Sequence, residues 1–166
     1  MTKFYTGVGS RNTPKSIQAI MSNLAKKLAN DGWILRSGGA KGADSAFELG
    51  AGSKKTVYYA HHVDSLTAGK DALALAGSLH GNWDRCSDYV RKLHGRNCFQ
   101  VLGCNLDRPS SFMVCWTPDG AVSHKDRSIK TGGTGTAISI ADHFGVKVYN
   151  LSRKEHLEKI KGFIKK

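Results

Sequence analysis

Residues 33–49 read WILRSGGAKGADSAFEL and give the strongest indication of the fold. Trp33–Arg36 is a strand-like run, and Ala43–Leu49 has the composition of a short helix. A glycine-rich turn joins them. Glycine lets the backbone adopt positive φ and approach a ligand closely, and the start of the following helix presents N–H groups that lack partners. The stretch therefore predicts a strand–turn–helix unit that can hold an anion.

Two further turns have the same character. Gly7-Val-Gly-Ser-Arg11 and Thr131-Gly-Gly-Thr-Gly-Thr136 are each predicted to lie after a strand and before a helix. A single turn of this kind often serves chain geometry alone, and that alternative applies to each of them. Three such turns in 166 residues indicate one cleft built to hold phosphate.

Strand-like and helix-like runs alternate along the rest of the chain. Strands are predicted at Lys3–Val8, Trp33–Arg36, Thr56–Ala60, Phe112–Trp116 and Val146–Asn150. Helices are predicted from Thr13-Pro14 to Asp31-Gly32, with Thr13 as the capping hydroxyl, and at Ala43–Leu49, 67–76, Asp84–Leu102, Thr136–Phe144 and Arg153–Ile164. The alternation predicts one α/β domain over residues 1–166, with a doubly wound parallel (Rossmann-like) sheet and helices on both faces. In such sheets the ligand lies beyond the carboxyl ends of the strands.

The composition narrows the class of partner. The net charge is +12 and the pI is about 9.7, which favours nucleic acid or a polyphosphate nucleotide, with a merely basic surface as the alternative. No apolar run approaches the ~20 residues that a membrane span needs, and the N-terminus lacks a signal-peptide core. The histidines show no metal-ligand spacing. We therefore expect a cytoplasmic protein with no membrane partner, no metal and no cofactor.

Several motifs resemble a known family. Gly7-x-Gly9-Ser10-Arg11, the turn from Arg36 to Asp44, and Arg96-Asn97 are similar to three motifs that line one basic pocket in the DNA-processing protein A (DprA/Smf) family. The turn Gly132–Thr136 resembles the PGGxGT motif of the LOG, or lysine-decarboxylase-like, nucleotide phosphoribohydrolases. Both belong to the SLOG superfamily, which includes sensors of NAD-derived nucleotide signals. The resemblance, over about residues 3–151, is greatest to small stand-alone members encoded by phages.

The sequence departs from both families. Where the LOG motif has a glutamate associated with cleavage of the N-glycosidic bond, this chain has Ser139, which cannot act as a carboxylate. Thr131 stands where that motif has proline. Where the DNA-processing proteins have a second arginine, Cys98 follows Asn97. The resemblance therefore implies binding without turnover, unless Asp44, Glu48 or Asp119 supplies a displaced carboxylate.

These observations predict a protein that binds, and sequesters, a phosphorylated nucleotide such as an NAD- or ADP-ribose-related signal, which among phage proteins implies an anti-defence role. The alternatives are a DprA-like single-stranded DNA binder and a LOG-like phosphoribohydrolase. A homo-oligomer in the cytoplasm is expected, which is the host cytoplasm if the protein is phage-encoded. No catalytic residue is assigned.

The predicted ligand-binding residues come from the turns, the strand ends and the late part of one helix. They are Gly9, Ser10, Arg11, Arg36, Ser37, Gly38, Gly39, Lys41, Asp44, Arg96, Asn97, Trp116, Thr117, Gly132, Gly133, Thr134, Gly135 and Thr136. Some have an equally plain structural alternative. Lys41 suits either phosphate or solvent, Asp44 suits a helix dipole or a ribose hydroxyl, and Trp116 suits the core or a stacked base.

Overall fold

Five parallel strands form one sheet. The computed structural model describes residues Met1–Lys166, and its strands are β1 (Lys3–Gly7), β2 (Trp33–Ser37), β3 (Lys55–Val57), β4 (Phe112–Cys115) and β5 (Lys147–Asn150). They pair in the order β3-β2-β1-β4-β5, and every pairing is parallel. The predicted Rossmann-like α/β fold is therefore confirmed.

Seven α-helices connect and follow the strands. They are α1 (Lys15–Asn30), α2 (Ala43–Ala51), α3 (His62–Ser65), α4 (Gly69–Leu79), α5 (Asp88–Leu102), α6 (Thr134–His143) and α7 (Lys154–Lys165). Single 3-10 turns occur at Trp83–Arg85, His124–Asp126 and Ile129–Thr131. None of these helices combines the length and the apolar character needed to cross a bilayer.

The alternation of side chains along the strands builds two cores. In β4, Val114 packs in the cluster that contains α1, α2 and α7, whereas its neighbours Met113 and Cys115 pack in the cluster that contains α4, α5 and α6. Successive side chains of a strand point to opposite faces, so a strand with three apolar residues in a row is covered on both sides. The sheet therefore lies between two helical layers.

The position where the connections change face lies between β1 and β4. The chain leaves β1 toward α1 on one face and leaves β4 toward α6 on the other. Beyond the strands the two chains stay paired, because Val8 donates its N–H to the Val114 carbonyl (3.2 Å) and Ser10 donates to the Trp116 carbonyl (3.0 Å). The diverging connections leave a crevice above this point, which is where α/β sheets bind ligands.

Most predicted boundaries agree with the structure within about two residues, and those described here differ more. The helix predicted at Asp84–Leu102 begins at Asp88, because the Ser87 hydroxyl accepts the Val90 N–H (3.2 Å) and caps the helix there. The strand predicted at Thr56–Ala60 ends at Val57, because β3 pairs with β2 alone and β2 ends at Ser37, which lies opposite Val57. The helix predicted near 67–76 is α4, which is preceded by the one-turn helix α3.

Candidate functional site

A cleft of about 870 Å³ lies at the carboxyl edge of the sheet, above the position between β1 and β4. Its walls come from the turn after β1, the start of α2, the inner side of α5 and the segment that leads into α6. The lining is mainly polar and contains one carboxyl group, that of Asp44. Four cationic side chains also line it: Arg11, Arg96, Arg127 and Lys130. The balance of charge favours an anionic ligand.

The first glycine turn runs beneath the cleft between two other segments. Gly9 has a φ of +154°, and a Cβ there would lie 2.8 Å from the Ala43 Cβ and 3.0 Å from the Trp116 backbone. Only glycine fits this position. Thr13, the predicted cap of α1, donates its hydroxyl to the Ser10 carbonyl (2.7 Å) and so stabilises the turn instead of the helix end.

Arg11 lies at the exposed tip of this first turn. It lines the cleft, and no hydrogen bond or ion pair within the protein involves its guanidinium. A guanidinium presents several N–H donors in a fixed plane that matches two oxygens of a phosphate. Arg11 is therefore free to bind an anion that enters the cleft.

The second glycine turn differs from the expected phosphate cradle. The Gly39 N–H donates to Glu48 Oε2 (2.8 Å), and the Ala40 N–H donates to Asp44 Oδ2 (3.3 Å). Two carboxyl groups of α2 thus take the positions that a phosphate would occupy. The turn is satisfied by its own helix, so it supplies a wall of the cleft and few donors for a ligand.

Asp44 and Arg96 lie together behind this turn. Burial raises the pKa of Asp44 to about 7, although the positive charge of Arg96 and the Ala40 N–H act to lower it. Arg96 donates from Nη1 to the Gly38 carbonyl at 2.6 Å, and burial lowers its pKa. Near neutral pH the Asp44 carboxyl therefore exchanges between its neutral and ionised forms inside the cleft.

The third glycine turn is open. The N–H groups of Gly132 and Gly133 make no hydrogen bond within the protein, and a Cβ at either residue would meet no atom within 4 Å. Both residues line the cleft, and α6 starts directly after them at Thr134. The first N–H groups of a helix have no partner inside it and carry the positive end of its dipole. This turn is the part of the site best suited to phosphate.

Two adjacent residues of α5 connect the turns. Arg96 bonds the second turn at Gly38, and Asn97 donates from Nδ2 to the Gly133 carbonyl of the third turn at 3.1 Å. One turn of helix earlier, His94 Nδ1 hydrogen-bonds the Thr136 hydroxyl at 2.8 Å. Burial, then the charges of His80, Arg96 and Arg127, lower the pKa of His94 to about 4, so its ring is neutral at physiological pH.

Asp119 accepts several hydrogen bonds from the segment that precedes the third turn. Its carboxylate accepts hydrogen bonds from Thr117 Oγ1 (2.8 Å), Ser128 Oγ (2.7 Å), the Ala121 N–H (3.2 Å) and Thr131 Oγ1. Burial acts to raise its pKa, but the hydroxyl groups of Thr131, Ser128 and Thr117 outweigh it and lower the pKa to about 2. Asp119 does not line the cleft. Its role in this structure is to fix the loop after β4.

Ser139, at the position of the LOG glutamate, is buried within α6. Its hydroxyl bonds His124 Nδ1 at 2.8 Å, and the residue does not line the cleft. A carboxylate at this position would therefore not reach a ligand in the cleft. Among the alternative carboxylates, Asp44 lines the cleft, whereas Glu48 bonds the second turn from outside the lining.

The structure brings eleven of the eighteen predicted ligand residues into the cleft lining: Gly9, Ser10, Arg11, Asp44, Arg96, Asn97, Gly132, Gly133, Thr134, Gly135 and Thr136. The other seven lie outside it: Arg36, Ser37, Gly38, Gly39, Lys41, Trp116 and Thr117. Trp116 packs against the α1 side of the core. Thr117 is buried between Asp119 and Asn150.

Arg36 differs most from the expectation. Its side chain is buried under α5, where Nη1 donates to the Arg108 carbonyl (2.6 Å) and to Ser110 Oγ (3.1 Å). The guanidinium also lies 4.0 Å from the centre of the Phe4 ring. An arginine at the end of a strand reaches the ligand edge only if its side chain points outward, and here it points to a sheet face.

Two cations of the cleft, Arg127 and Lys130, are not among the predicted ligand residues. Both lie in the segment that leads from Asp119 to the third turn. Arg127 donates from Nε to the His124 carbonyl (3.3 Å), which holds its side chain at the cleft. The available signal was the presence of basic residues directly before the glycine turn.

His80, Cys86 and His94 form a cluster that their spacing in the sequence did not indicate. Their side-chain ligand atoms lie within 4.8 Å of one another. His80 Nδ1 accepts the Asn82 N–H (3.0 Å), which places the proton of the neutral ring on Nε2 and leaves this ring with no free lone pair for a metal. The positive charge of Arg127 acts on both histidines. These features suit an anion-binding wall better than a cation site.

No protein-family model matches this chain, and no curated protein matches it. Among solved structures it is similar to DNA processing protein A from Helicobacter pylori, with a TM-score of 0.59 and 17% sequence identity over 99% of this chain and 79% of that one. The chain has the fold of DNA processing protein A. The solved structure is described as revealing a single-stranded DNA binding mode of that protein. The SLOG grouping, a phage origin, a cytoplasmic location and a homo-oligomer stay predictions.

Proposed function

We propose that this protein binds single-stranded DNA, with backbone phosphate held at the third glycine turn. One observation carries the proposal: Gly132 and Gly133, whose N–H groups have no partner within the protein, line the same cleft as Arg11, Arg127 and Lys130, directly before the start of α6. Backbone donors and cations around one space are the features that recognise phosphate without reading a base. The net charge of +12 supplies the long-range attraction that a polyanion needs.

The likeness of fold to a protein described as binding single-stranded DNA supports the same choice over free nucleotide. The proposal also accounts for the openness of the site. A polymer must enter and leave, and the rim residues Arg11, Gly132 and Lys130 are exposed.

A phosphorylated nucleotide is the second candidate, and the position of Asp44 favours it. This single carboxyl group lies at the wall of the cleft beside Arg96, where it can accept a hydrogen bond from a ribose 2′-hydroxyl, a group that DNA lacks. A volume of about 870 Å³ falls within the ~300–1,000 Å³ of small-molecule sites. Turnover is not part of either proposal, because Ser139 lies away from the cleft.

Fluorescence anisotropy with a labelled oligothymidylate of about 15 nucleotides, comparable with the stretch that one single-strand-binding fold covers, tests the choice. We expect binding that weakens with salt by a log–log slope of about −0.7 for each phosphate neutralised. Unlabelled oligonucleotide should displace the probe, whereas AMP and ADP-ribose at equal phosphate concentration should not. The second candidate would be established instead if AMP or ADP-ribose displaced the probe at a phosphate concentration at which the unlabelled oligonucleotide did not.

A further inference from the structure

An exposed aromatic pair, Tyr59 and His61, lies at the rim of the cleft and has no role in the site described above. The Tyr59 ring packs on the second glycine turn, since a Cβ at Gly39 would lie 2.5 Å from Tyr59 Cε1. Gly39 has a φ of +72° and directly precedes Ala40, which lines the cleft. The aromatic pair therefore lies next to the cleft wall, on the residue that precedes Ala40.

The pair is held in place from below. The Tyr59 N–H donates to His62 Nδ1 (2.8 Å), and the His62 ring contacts Tyr58, which is buried against Phe99. The rings of Tyr59 and His61 are nearly parallel, with an interplanar angle of 10° and centroids 5.8 Å apart. Tyr59 nevertheless keeps 45% of its surface exposed. The two rings thus form a preorganised surface that faces solvent.

A cation accompanies the pair on the same turn. Lys41 is exposed, lies two residues after Gly39, and makes no hydrogen bond or ion pair within the protein. The carboxylate of Glu48, on α2, accepts the Gly39 N–H and forms no ion pair with Lys41. A single strand that crosses the turn would therefore meet a free ammonium for its phosphate and an aromatic surface for its bases.

We propose that Tyr59 and His61 stack on a base of single-stranded DNA where the strand leaves the cleft over the second glycine turn, with Lys41 contacting the backbone. The proposal rests on the proposed function and adds the exit path of the strand. Stacking on aromatic side chains is tolerant of sequence because every base has a π-face. It also gives roles to Gly39 and Lys41, which lie outside the cleft lining.

The chain offers a matched control for this pair. Phe144 has a similar exposed fraction, 41%, and a histidine neighbour, His143, with ring centroids 5.0 Å apart. It follows the C-terminal end of α6, whose N-terminus lies at the cleft, so Phe144 is at the opposite edge of the sheet. Replacing it removes an exposed aromatic ring without affecting the proposed path.

The test compares Tyr59→Ala, Tyr59→Phe and Phe144→Ala by anisotropy with three probes. These are an oligothymidylate of about 15 nucleotides, a 5′-phosphorylated thymidine trinucleotide that fills the cleft alone, and an abasic oligomer with the phosphates of the long probe. Tyr59→Ala should bind the long probe about tenfold more weakly and the other two as the wild type does. Tyr59→Phe and Phe144→Ala should retain wild-type affinity for all three.

Two outcomes overturn the inference, and they differ from a failure of the proposed function. Unchanged binding of the long probe by Tyr59→Ala, while the wild type binds it, removes the stacking role alone. An equal loss on the abasic oligomer assigns the effect of Tyr59 to something other than a base. If the wild type binds none of the probes, both the proposed function and the exit path are wrong. Thermal unfolding of each variant checks that the turn is intact.

Discussion

The side-chain amide of Asn97 donates to the carbonyl oxygen of Gly133 across 3.1 Å, and this bond ties α5 to the open third turn. The preceding residue, Arg96, bonds the carbonyl of Gly38 in the second turn. Two neighbouring positions of one helix therefore fix the separation of two walls of the cleft. The geometry of the site depends on α5 as much as on the glycines themselves.

Replacing Asn97 with alanine should loosen the third turn. We expect a loss of about 0.5–1.5 kcal/mol of unfolding free energy, the usual net value of one hydrogen bond, together with weaker oligonucleotide binding. Chemical denaturation and anisotropy measure the two effects. Asn23→Ala, an exposed asparagine within α1, is the control and should change neither. Unaltered binding by Asn97→Ala would show that affinity for the oligonucleotide does not depend on the bond between Asn97 and the third turn.

Replacing Arg11 and Arg127 together with glutamine should remove two of the four cations of the cleft. Hydrogen bonds to charged groups contribute about 1.5–3 kcal/mol each, so we expect a loss on the order of 2–4 kcal/mol of binding free energy and a shallower salt dependence. The control is Lys154→Gln with Lys165→Gln, which removes the same charge from α7. Equal losses in both double variants would assign the binding to net charge rather than to the cleft.

Gly133→Ala should separate folding from ligand approach. Gly133 has helical angles (φ −62°, ψ −23°) and no atom within 4 Å of an added Cβ, so the native chain accepts alanine without strain. We expect unchanged or slightly higher stability but weaker phosphate binding, since the methyl group projects into the cleft. Gly162→Ala, in α7 and equally free of contacts, should stabilise by about 0.5–1 kcal/mol and leave binding unaltered. Full affinity in Gly133→Ala would place the phosphate elsewhere.

The pKa of Asp44 predicts a defined pH dependence of stability. Its value of about 7 in the folded protein exceeds the unfolded value of about 3.9, so the folded state binds the extra proton between pH ~4 and ~7. The contribution of Asp44 therefore falls as pH rises through this window. His94, whose folded pKa of about 4 lies below the unfolded value of about 6.5, acts in the opposite direction over much of the same range.

The Asp44→Asn variant isolates the contribution of Asp44 to the pH dependence of stability, because His94 is present in both proteins. Relative to the wild type, the variant should gain on the order of 2 kcal/mol of unfolding free energy between pH 5 and pH 8, from ~1.4 kcal/mol per pH unit below the folded pKa. Denaturant unfolding at the two pH values measures the difference. A constant difference would mean that Asp44 does not change protonation in this range.

Ser139→Glu should not create a phosphoribohydrolase. The position is buried beside His124, so a carboxylate there would lose hydration without reaching the cleft. We expect lower stability, and no release of free base from AMP by either the variant or the wild type over hours. Chromatographic detection of adenine checks this. Rapid base release by the wild type, abolished by Asp44→Asn, would instead make Asp44 the working carboxylate.

The fold followed from the sequence because its signals are local. The strand Phe112–Cys115 and the helix face of α1 are patterns of a few neighbouring residues, and the first two glycine turns mark the ends of β1 and β2. The third turn, predicted to follow a strand, follows the 3-10 turn Ile129–Thr131 instead, well after the end of β4 at Cys115. Only part of the candidate site could be predicted from the sequence. That Gly39 and Ala40 are already bonded by Glu48 and Asp44 depends on the angle at which α2 leaves the turn, which no spacing in the sequence encodes.

Arg36 and Arg127 show that the sequence motifs do not determine which arginines reach the cleft. Arg36 is part of the motif yet bonds Arg108 and Ser110 beneath α5, because side-chain direction at a strand end is set by packing. Arg127 belongs to no motif yet lines the cleft, since the hydrogen bonds of Asp119 fold its segment back toward α6. Both outcomes depend on contacts between residues far apart in the chain.

The glycine turns offer different chemical groups, and this difference bears on the direction in which a nucleic acid strand would bind. A nucleic acid strand is chemically different when read from its two ends, and a binding surface with identical ends would accept it either way round. Here one end offers free N–H groups at Gly132 and Gly133, whereas the other offers the Asp44 carboxyl and the Tyr59 ring. A strand bound as proposed would therefore meet different groups at its two ends, and every copy bound along it would face the same way.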